Sequence, residues 1–565
     1  MKPLTKKIVL LYLLFVIVKI TLSYFIPSIS AFSDEYYYAK LARSFFFEQG
    51  FSIHGIKVMF YQPLYPIIIS LSYIFKDMEL VYFAMKAINA IVSTLVIIPS
   101  YLLAKEFLDD KKSILAAMLI SLAPPMFSFS PYIMAENLFY PLFMFSFYFI
   151  YKAFSTNATK HFLLSGIFVG LSFLTKTSGI VLVFLPGIFF ALSLAFTKAL
   201  KKGIISRLAL LYLASAIVVS PWLVRNLLSF GSIFSYNAIS DITAYSRHES
   251  YVLPLLNWIL LYVAYIILAT AMIFGISALI GLIKNFKLNT NEGHFHRLVL
   301  IAASISIFIA ANHATGSVIY NTPLSFFTER PIGRYIDFIL PLVFIAAFIN
   351  FQRYYEKINP YIVASSILLL FGSQLAIAPL LPPNNISLTL IGILKYAIDF
   401  FLFNKTSLDF IFYWQTIAII AVALFAVCLL FMVLKKLGLN KLVFVAMLFF
   451  VLTSISAYSI TYYNAKTYWF NGDQMQVGYF LNTIDKERYS TVLIDSRDCT
   501  GKISRVDQST LCENTISSIS GFFINDEIIV KNPEEFKGFD YAITRHQLGL
   551  ELIKDINGIH IYKNV

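Results

Sequence analysis

The sequence predicts an α-helical polytopic membrane protein with a small α/β domain at its C-terminal end. Hydrophobic residues make up 58% of the 565 residues and charged residues only 13%, whereas about 25% of an ordinary soluble domain is charged. The mean hydropathy is +0.74. Long apolar runs recur along the chain as far as about residue 463, and short β-like runs follow them.

The apolar runs predict about thirteen membrane spans, because each is long enough to cross about 30 Å of hydrocarbon. The first run follows the basic start MKPLTKK and has no small-x-small cleavage site, so we expect it to remain as an uncleaved span. The short run 63–75 is expected to form a re-entrant or surface helix. The predicted spans lie near residues 8–25, 80–104, 113–130, 138–154, 162–175, 178–197, 207–223, 255–283, 298–311, 336–350, 361–380, 411–434 and 442–463.

The loops between these spans predict an orientation. With the N-terminus in the cytoplasm, the basic clusters of the chain fall in the cytoplasmic loops, as the positive-inside rule requires. The first outer loop 26–79 and the whole tail then lie outside the cell membrane. The formal charge of +13 is explained by these loops, so we expect a lipid bilayer and no nucleic acid as a partner. The cytoplasmic clusters include Lys105, Lys111, Lys112, Lys152, Lys160, Lys201, Lys202, Arg207, Lys284, Arg353, Lys435 and Lys436.

The tail predicts a separate extracytoplasmic α/β domain over residues 464–565, after a transmembrane domain over 1–463. Its runs VLIDS, EIIV, YAITR and IHIYKN have the composition of strands and are separated by polar turns. Cys499 and Cys512 lie in this tail and could form a disulfide if it faces an oxidising compartment. Cys428 lies in an apolar run and is expected to be inert. The cysteines and histidines form no cluster with metal-ligand spacing.

Two adjacent acids in the first outer loop are the first candidates for catalysis. Asp34 and Glu35 begin the string DEYYYAKLAR, and a paired acid at a membrane surface suits a general base. If this stretch is helical, Tyr38 shares a face with Asp34. Tyr61 and Tyr65 follow in the string YQPLY and are candidate substrate-binding residues. The alternative is a solvated loop acid or a helix N-cap.

A third acid, Glu136, lies in PYIMAENLFY between two predicted spans and on the same side as Asp34. Two carboxylates that face one water-accessible cavity could divide the work, one as a base and the other orienting the nucleophile. The alternative is that Glu136 only begins a helix, where the helix dipole favours an acid.

Cationic residues are predicted to collect on the same outer face. Lys176 interrupts an apolar hairpin in FLTKTSG, and Arg225 ends a span in PWLVRN. The segment TERPIGRYIDFILPL contributes Arg330, Arg334 and Tyr335. Taken singly, each cation could extend to lipid headgroups. Together they suit a phosphate group, to which Arg offers paired hydrogen bonds and Lys a point charge.

A carboxylate base beside a phosphate-binding cluster predicts sugar transfer from a polyprenyl phosphate to a protein, lipid or glycan acceptor. The base would deprotonate the acceptor while the cations stabilise the departing phosphate. Phosphate is a good leaving group, so this reaction needs no separate general acid. No organic cofactor is expected, and a divalent cation at the acids remains open. The competing hypotheses are a transporter or flippase of a lipid-linked substrate and a non-catalytic scaffold. A transporter usually shows repeats and broken helices near the bilayer midplane, whereas these polar motifs collect at one surface.

The motifs resemble those of the C-type membrane glycosyltransferases, in particular the branch with lipid A aminoarabinose transferases and protein O-mannosyltransferases. The stretch DEYYYAKLAR, a following Gly and YQPLYPIIISL resemble the first-loop signature of that branch. The other matches follow in order over about residues 1–350. They are AENLFYPLF, GLSFLTKTSGIVLVFLP, SPWLVRNLLSFG and GRYIDFILPL.

The resemblance implies the fold of that superfamily and a lipid-phosphate-linked sugar donor. It assigns Asp34 as the base, Glu136 as the supporting acid, and Lys176, Arg225 and Arg334 as basic site residues. The chain departs from the family where Gln62 precedes a single Pro, since many relatives have Lys-Pro-Pro there. The tail also lacks the WWDYG string of oligosaccharyltransferases, which argues against transfer of a whole oligosaccharide to Asn.

Overall fold

A computed structural model describes residues 6–30, 33–197, 203–233, 248–249, 251–271, 273–319, 333–354, 402, 438–485, 489–498 and 520–564. The predicted spans near 361–380 and 411–434 lie outside these residues, as do Arg330 and all three cysteines. The described part of the chain is mainly helical.

The helices in the first half are α1 to α11. They are Lys6–Tyr24, Ser33–Phe46, Leu64–Ser70, Met78–Thr94, Ile97–Ala104, Asp110–Leu122, Pro124–Phe127, Glu136–Thr156, Thr159–Thr175, Ile180–Thr197 and Ile204–Phe230. The later helices are α12 to α17. They are Val252–Ala269, Ile273–Asn285, Asn291–Ile319, Leu340–Tyr354, Gly438–Asn464 and Asp473–Ile484. Short 3-10 turns cover Leu71–Ile74, Thr177–Gly179, Gly333–Tyr335 and Asp337–Ile339.

Seven helical stretches of the described residues are long and apolar enough to cross a membrane, which supports a multi-pass membrane protein. Five shorter apolar helices accompany them, and one of these, Leu64–Ile74, occupies the run predicted as a re-entrant or surface helix. The predicted number of thirteen stays a prediction, because part of the chain is outside the described residues. The seven long stretches are Lys6–Tyr24, Met78–Ala104, Glu136–Thr156, Thr177–Ala195, Ile204–Phe230, Asn291–Gly316 and Gly438–Thr467.

The predicted single span 255–283 is divided into two helices, α12 and α13. Between them Ala271 adopts a positive φ of 50°, a conformation that an ordinary helix residue does not take. The chain turns so sharply there that a Cβ on Gly275 would lie 2.8 Å from the Ile267 Cα. Hydropathy alone did not show this break, because the residues of the turn are almost as apolar as the helices.

Helices α9 and α11 pack with their backbones unusually close. A Cβ on Gly166 would lie 2.2 Å from the Leu211 carbonyl oxygen, and one on Gly170 would lie 2.8 Å from the Val218 Cβ. Glycines four residues apart on one face allow this approach between helices in a membrane. This contact fixes α9, whose C-terminal end carries one of the site residues.

The tail forms one five-stranded sheet of β3 (Thr491–Asp495), β4 (Glu527–Lys531), β5 (Tyr541–Thr544), β6 (Glu551–Ile556) and β7 (Ile559–Lys563). The strands lie in the order β4-β3-β5-β7-β6. Strand β3 runs parallel to β4 and β5, whereas β7 is antiparallel to β5 and β6. Helix α17 packs on the sheet through Val477 and Leu481. Four of these strands were predicted, and β6 was not. A separate two-stranded hairpin of Ser52–Ile53 (β1) and Ile56–Lys57 (β2) lies in the first loop.

The first loop and the tail share a hydrophobic cluster. It contains Tyr36 and Tyr73 of the loop together with Met475, Phe522 and Phe523 of the tail. Aromatic residues from both segments therefore pack against each other, and the tail contacts the helix that carries the paired acids.

Candidate active site

Asp34 lies in the first turn of α2 with both carboxylate oxygens engaged. Oδ1 accepts a hydrogen bond of 2.5 Å from the Tyr61 hydroxyl, and Oδ2 accepts one of 2.8 Å from Arg334 Nη1. Burial would raise the pKa of this carboxyl, but Arg334 and the Tyr61 hydrogen bond outweigh burial and hold the pKa below its ordinary value. Asp34 is therefore ionised at neutral pH.

Glu136 begins α8 and pairs with Lys176, whose Nζ lies 2.5 Å from its Oε1. Arg334 Nη1 lies 3.9 Å from the same oxygen. Two acids and two cations thus form one continuous network, in the order Asp34, Arg334, Glu136 and Lys176. The side chain of Glu136 is only 2% exposed, so its charge depends on these cations for compensation.

Four separate elements bring the network together. Asp34 comes from α2, Glu136 from the start of α8, and Arg334 from the 3-10 turn Gly333–Tyr335. Lys176 follows the end of α9 in an extended conformation. The next turn folds back onto α9 so closely that a Cβ on Gly179 would lie 2.7 Å from the Phe173 backbone nitrogen. A glycine is therefore required where the chain turns to present Lys176.

Tyrosine rings form the surroundings of Asp34. The ring of Tyr38 lies edge-on to Tyr61 and Tyr65, with centroids 4.7 and 5.0 Å apart. The Tyr65 hydroxyl donates to Asn89 Oδ1 at 2.9 Å. Burial and the nearby Asp34 raise the pKa of Tyr61 well above its ordinary value, so this hydroxyl remains a donor to Asp34.

Tyr335 lies beside the two cations. Its ring centroid is 5.7 Å from Lys176 Nζ and 5.5 Å from the Arg334 guanidinium carbon. The negative face of an aromatic ring attracts cations at such distances. The ring therefore helps to hold both side chains next to Glu136.

Glu35 is placed differently from Asp34 and does not join the network. Its Oε2 accepts a hydrogen bond from the Ser30 backbone N–H and its Oε1 one from the Ile133 backbone N–H, both at 2.9 Å. The side chain is fully buried. The prediction that Glu35 is a catalytic acid is not supported by this placement, because adjacent helix residues point in different directions and this one connects two backbone segments.

Arg225 also lies outside the network. It donates to the carbonyl oxygens of Val58 at 2.7 Å and Phe51 at 3.0 Å, and its guanidinium lies over Trp222. These contacts attach α11 to the hairpin of the first loop. They do not support the prediction that Arg225 binds a phosphate beside Asp34.

Asp337 is a buried acid that the sequence analysis did not select. Its Oδ1 accepts a hydrogen bond of 2.5 Å from the Tyr265 hydroxyl, and its charge lies within electrostatic range of Glu136 and Lys176. A signal was present, because an acid at the start of an apolar run is costly unless it has a role. Tyr265 had no such signal, since it lies on a different helix within an apolar stretch.

The acids of the network do not fit a divalent cation well. Arg334 and Lys176 already balance the charges of Asp34 and Glu136, and these cations would repel a metal ion. Among the described residues, only Asp495, Asp498 and His546 have ligand atoms close enough together to hold an ion, within 4.8 Å. There Arg497 binds both oxygens of Asp495, which also opposes a metal.

Comparison with known proteins supports the fold, and it supports the family resemblance from Gln62 onward. Residues 62–224 match the sequence profile of the dolichyl-phosphate-mannose-protein mannosyltransferase family. The structure is similar to ArnT from Cupriavidus metallidurans bound to undecaprenyl phosphate, with a TM-score of 0.60 at 13% identity over 99% of this chain and 98% of that chain. The chain has the fold of a C-type membrane glycosyltransferase.

The apo state of ArnT gives a TM-score of 0.58 at 13% identity over the same shares of both chains. The Saccharomyces cerevisiae Pmt1-Pmt2 complex bound to its sugar donor is similar over 41% of this chain and 35% of that chain, with a TM-score of 0.32 at 18% identity. That likeness is too partial to add to the fold assignment. No curated protein sequence matches the chain. The C-type membrane glycosyltransferase fold predicted from the motifs is confirmed.

Proposed function

We propose that this protein transfers a sugar from a polyprenyl phosphate to an acceptor at the outer face of the membrane, with Asp34 as the base. The observation that supports this most directly is the network of Asp34, Arg334, Glu136 and Lys176. It places a carboxylate beside two cations, as the reaction requires. The family match over residues 62–224 and the fold of ArnT, a protein that binds undecaprenyl phosphate, agree with it.

In the proposed reaction an acceptor hydroxyl or amine attacks the anomeric carbon of the sugar. A bond forms between the acceptor atom and that carbon, and the bond from the carbon to the phosphate oxygen breaks. The acceptor proton passes to Asp34, and the electron pair of the broken bond stays on the phosphate. Arg334 and Lys176 stabilise the charge that develops there.

In the proposed reaction Asp34 exchanges its contact with Arg334 for one with the acceptor. Arg334 holds Oδ2 at 2.8 Å, and a donor phosphate would offer this guanidinium a second anion. We expect Arg334 to turn toward the phosphate when the donor binds, while Tyr61 keeps Oδ1 in place. Once Arg334 turns away, it no longer holds the pKa of Asp34 down, so the buried carboxylate becomes a better proton acceptor when the donor is bound.

Unpartnered polar atoms around the network could bind the sugar and the phosphate. They belong to residues of the network or to residues that lie near them in the chain, and no hydrogen bond satisfies them. A buried polar atom without a partner is costly, so several of them in one place favour a polar ligand there. They are the Tyr140 hydroxyl, Arg334 Nε and Asp337 Oδ2, and Tyr140 lies within electrostatic range of both Arg334 and Asp337.

The donor class follows from the proposed topology. The positive-inside rule puts the first loop outside, where nucleotide sugars are not normally supplied, so a lipid carrier must deliver the sugar. A protein, a lipid or a glycan could each present the nucleophile.

An assay of sugar transfer from different classes of donor tests this function. Purified protein in lipid nanodiscs would receive dolichyl or undecaprenyl phosphate hexoses and pentoses, and in parallel nucleotide sugars, with membrane extract as a source of acceptors. We expect release of polyprenyl phosphate from at least one lipid-linked donor and no turnover of a nucleotide sugar. Turnover of a nucleotide sugar alone would overturn the proposal. Movement of a lipid-linked sugar across the membrane of proteoliposomes, without release of polyprenyl phosphate, would instead identify a flippase.

A further inference from the structure

The face of α2 opposite Asp34 carries two buried cations, Lys40 and Arg43. Arg43 lies nine residues after Asp34, and at about 100° per residue this separation places the two side chains on opposite faces of α2. Lys40 lies near Arg43 on that far face. Both cations are almost completely buried, with 5% and 7% of their surface exposed. Neither contacts the Asp34 network, so their burial calls for a separate explanation.

Both cations bind the backbone of the tail. Lys40 Nζ donates to the Ile524 carbonyl oxygen at 2.6 Å, and Arg43 Nε donates to the Asn525 carbonyl oxygen at 2.7 Å. Asp526, which follows, lies within electrostatic range of both cations, and burial raises its pKa to about 7. A cavity of about 260 Å³ beside these groups is lined by α2, the first-loop hairpin and the start of β4.

The same tail segment also contacts the end of the first loop and the start of α4. Asn525 Nδ2 donates to the Lys76 carbonyl oxygen at 2.8 Å. The ring of Phe522 lies edge-on to Tyr82 of α4, with centroids 5.3 Å apart. Residues 521–526 therefore connect the far face of α2 to the start of α4, and we call them the clamp segment.

The clamp segment lies so close to α2 that there is no room for a side chain at Gly521. A Cβ on Gly521 would lie 2.7 Å from the Tyr36 hydroxyl, which is itself 2.6 Å from His54 Nε2. A side chain at Gly521 would have to displace Tyr36 or move the segment away. The absence of a side chain at Gly521 is thus a condition of this contact.

We propose that the clamp segment positions α2 for catalysis, with Lys40 and Arg43 as positioning residues that act through Asp34. This inference rests on the proposed function and gives the tail a role in it. Asp34 sits in the first turn of α2, where fraying is easiest, and small displacements of a reacting group can cost about 100-fold in rate. Contacts on the far face limit such displacement without touching the substrate.

The test compares three variants of the full-length protein in nanodiscs. Arg43→Met removes the donor to Asn525, Arg43→Lys restores a cation that can reach the same carbonyl oxygen, and Lys554→Met changes an exposed residue of β6 as a control. We expect Arg43→Met to lower kcat about 10-fold to 100-fold while the KM for the lipid-linked donor changes less than about threefold. Arg43→Lys should recover most of the rate, and Lys554→Met should match the unsubstituted protein.

Hydrogen exchange of the backbone amides gives a second readout that needs no turnover. Amides of α2 should exchange faster in Arg43→Met and not in Lys554→Met. Gly521→Val perturbs the contact from the tail side and should have the same effect, which keeps the test valid if Arg43→Met fails to fold. Unchanged exchange across α2 in both variants overturns the inference, as does faster exchange with unchanged kcat. If no lipid-linked donor is turned over by the unsubstituted protein, the proposed function fails, and the exchange measurement still decides whether the clamp segment holds α2.

Discussion

Replacing Asp34 with Asn separates catalysis from folding. The amide can rotate so that its oxygen accepts from Arg334 and its NH2 group faces the Tyr61 hydroxyl, which can also accept a hydrogen bond. Glu136 stays 3.9 Å from Arg334 and remains as a counter-charge. We therefore expect the variant to insert into the membrane and fold, because the contacts of Asp34 can be replaced.

The rate should fall much more than the stability. Asn cannot accept the acceptor proton, and loss of a positioned base typically costs about 10²- to 10⁴-fold. At about 1.4 kcal/mol per tenfold, this is about 3–5 kcal/mol of lost transition-state stabilisation. The assay is single-turnover release of polyprenyl phosphate from a saturating lipid-linked donor, with Asp109→Asn on an exposed loop as a matched control. A rate for Asp34→Asn within about threefold of the unsubstituted protein would falsify the assignment of the base.

Three further predictions concern neighbouring groups and the orientation. Glu35→Gln should lower the thermal unfolding temperature and leave the rate nearly unchanged, because the backbone N–H of Ser30 or of Ile133 loses its acceptor, which costs about 1–3 kcal/mol of stability. A large loss of rate in a variant of normal stability would contradict this. Arg334→Gln should shift the acidic limb of the pH profile of kcat/KM to higher pH, because burial then raises the pKa of Asp34 above its ordinary 3.8. An unshifted limb would show that another group titrates. A cysteine introduced at Lys554 should react with an impermeant reagent applied outside intact cells; failure to react, with a cytoplasmic control behaving as expected, would reverse the topology.

The composition and the order of polar motifs predicted much of the site. Apolar stretches make each ionisable residue expensive, so Asp34, Glu136, Lys176 and Arg334 stood out individually, and the structure brings them into one network. Their catalytic and binding roles remain predictions. Arg225 stood out for the same reason, yet it attaches α11 to the first loop. Composition shows that a buried cation needs a partner and does not show which partner it has.

Other features depend on contacts between distant segments and could not be predicted. The Asp337–Tyr265 hydrogen bond joins α12 to the 3-10 turn Asp337–Ile339, which lies far from it in the sequence, and neither position specifies the other. The break within 255–283 leaves no polar signal. Strand β6, with the sequence ELIKDI, has too many charges to show the alternation of a half-buried strand. It becomes a strand because the edge of β7 is available to pair with it.

The equal number of acids and cations in the network has a consequence for product release. In the proposed reaction the donor arrives as a phosphodiester with one negative charge and departs as a phosphomonoester with up to two. At that moment Asp34 holds the acceptor proton and no longer offsets Arg334, so the site has become cationic around a more anionic product. When Asp34 gives this proton to water, its charge again offsets Arg334 and the site holds the polyprenyl phosphate less tightly. Proton release and departure of the lipid carrier would therefore be coupled.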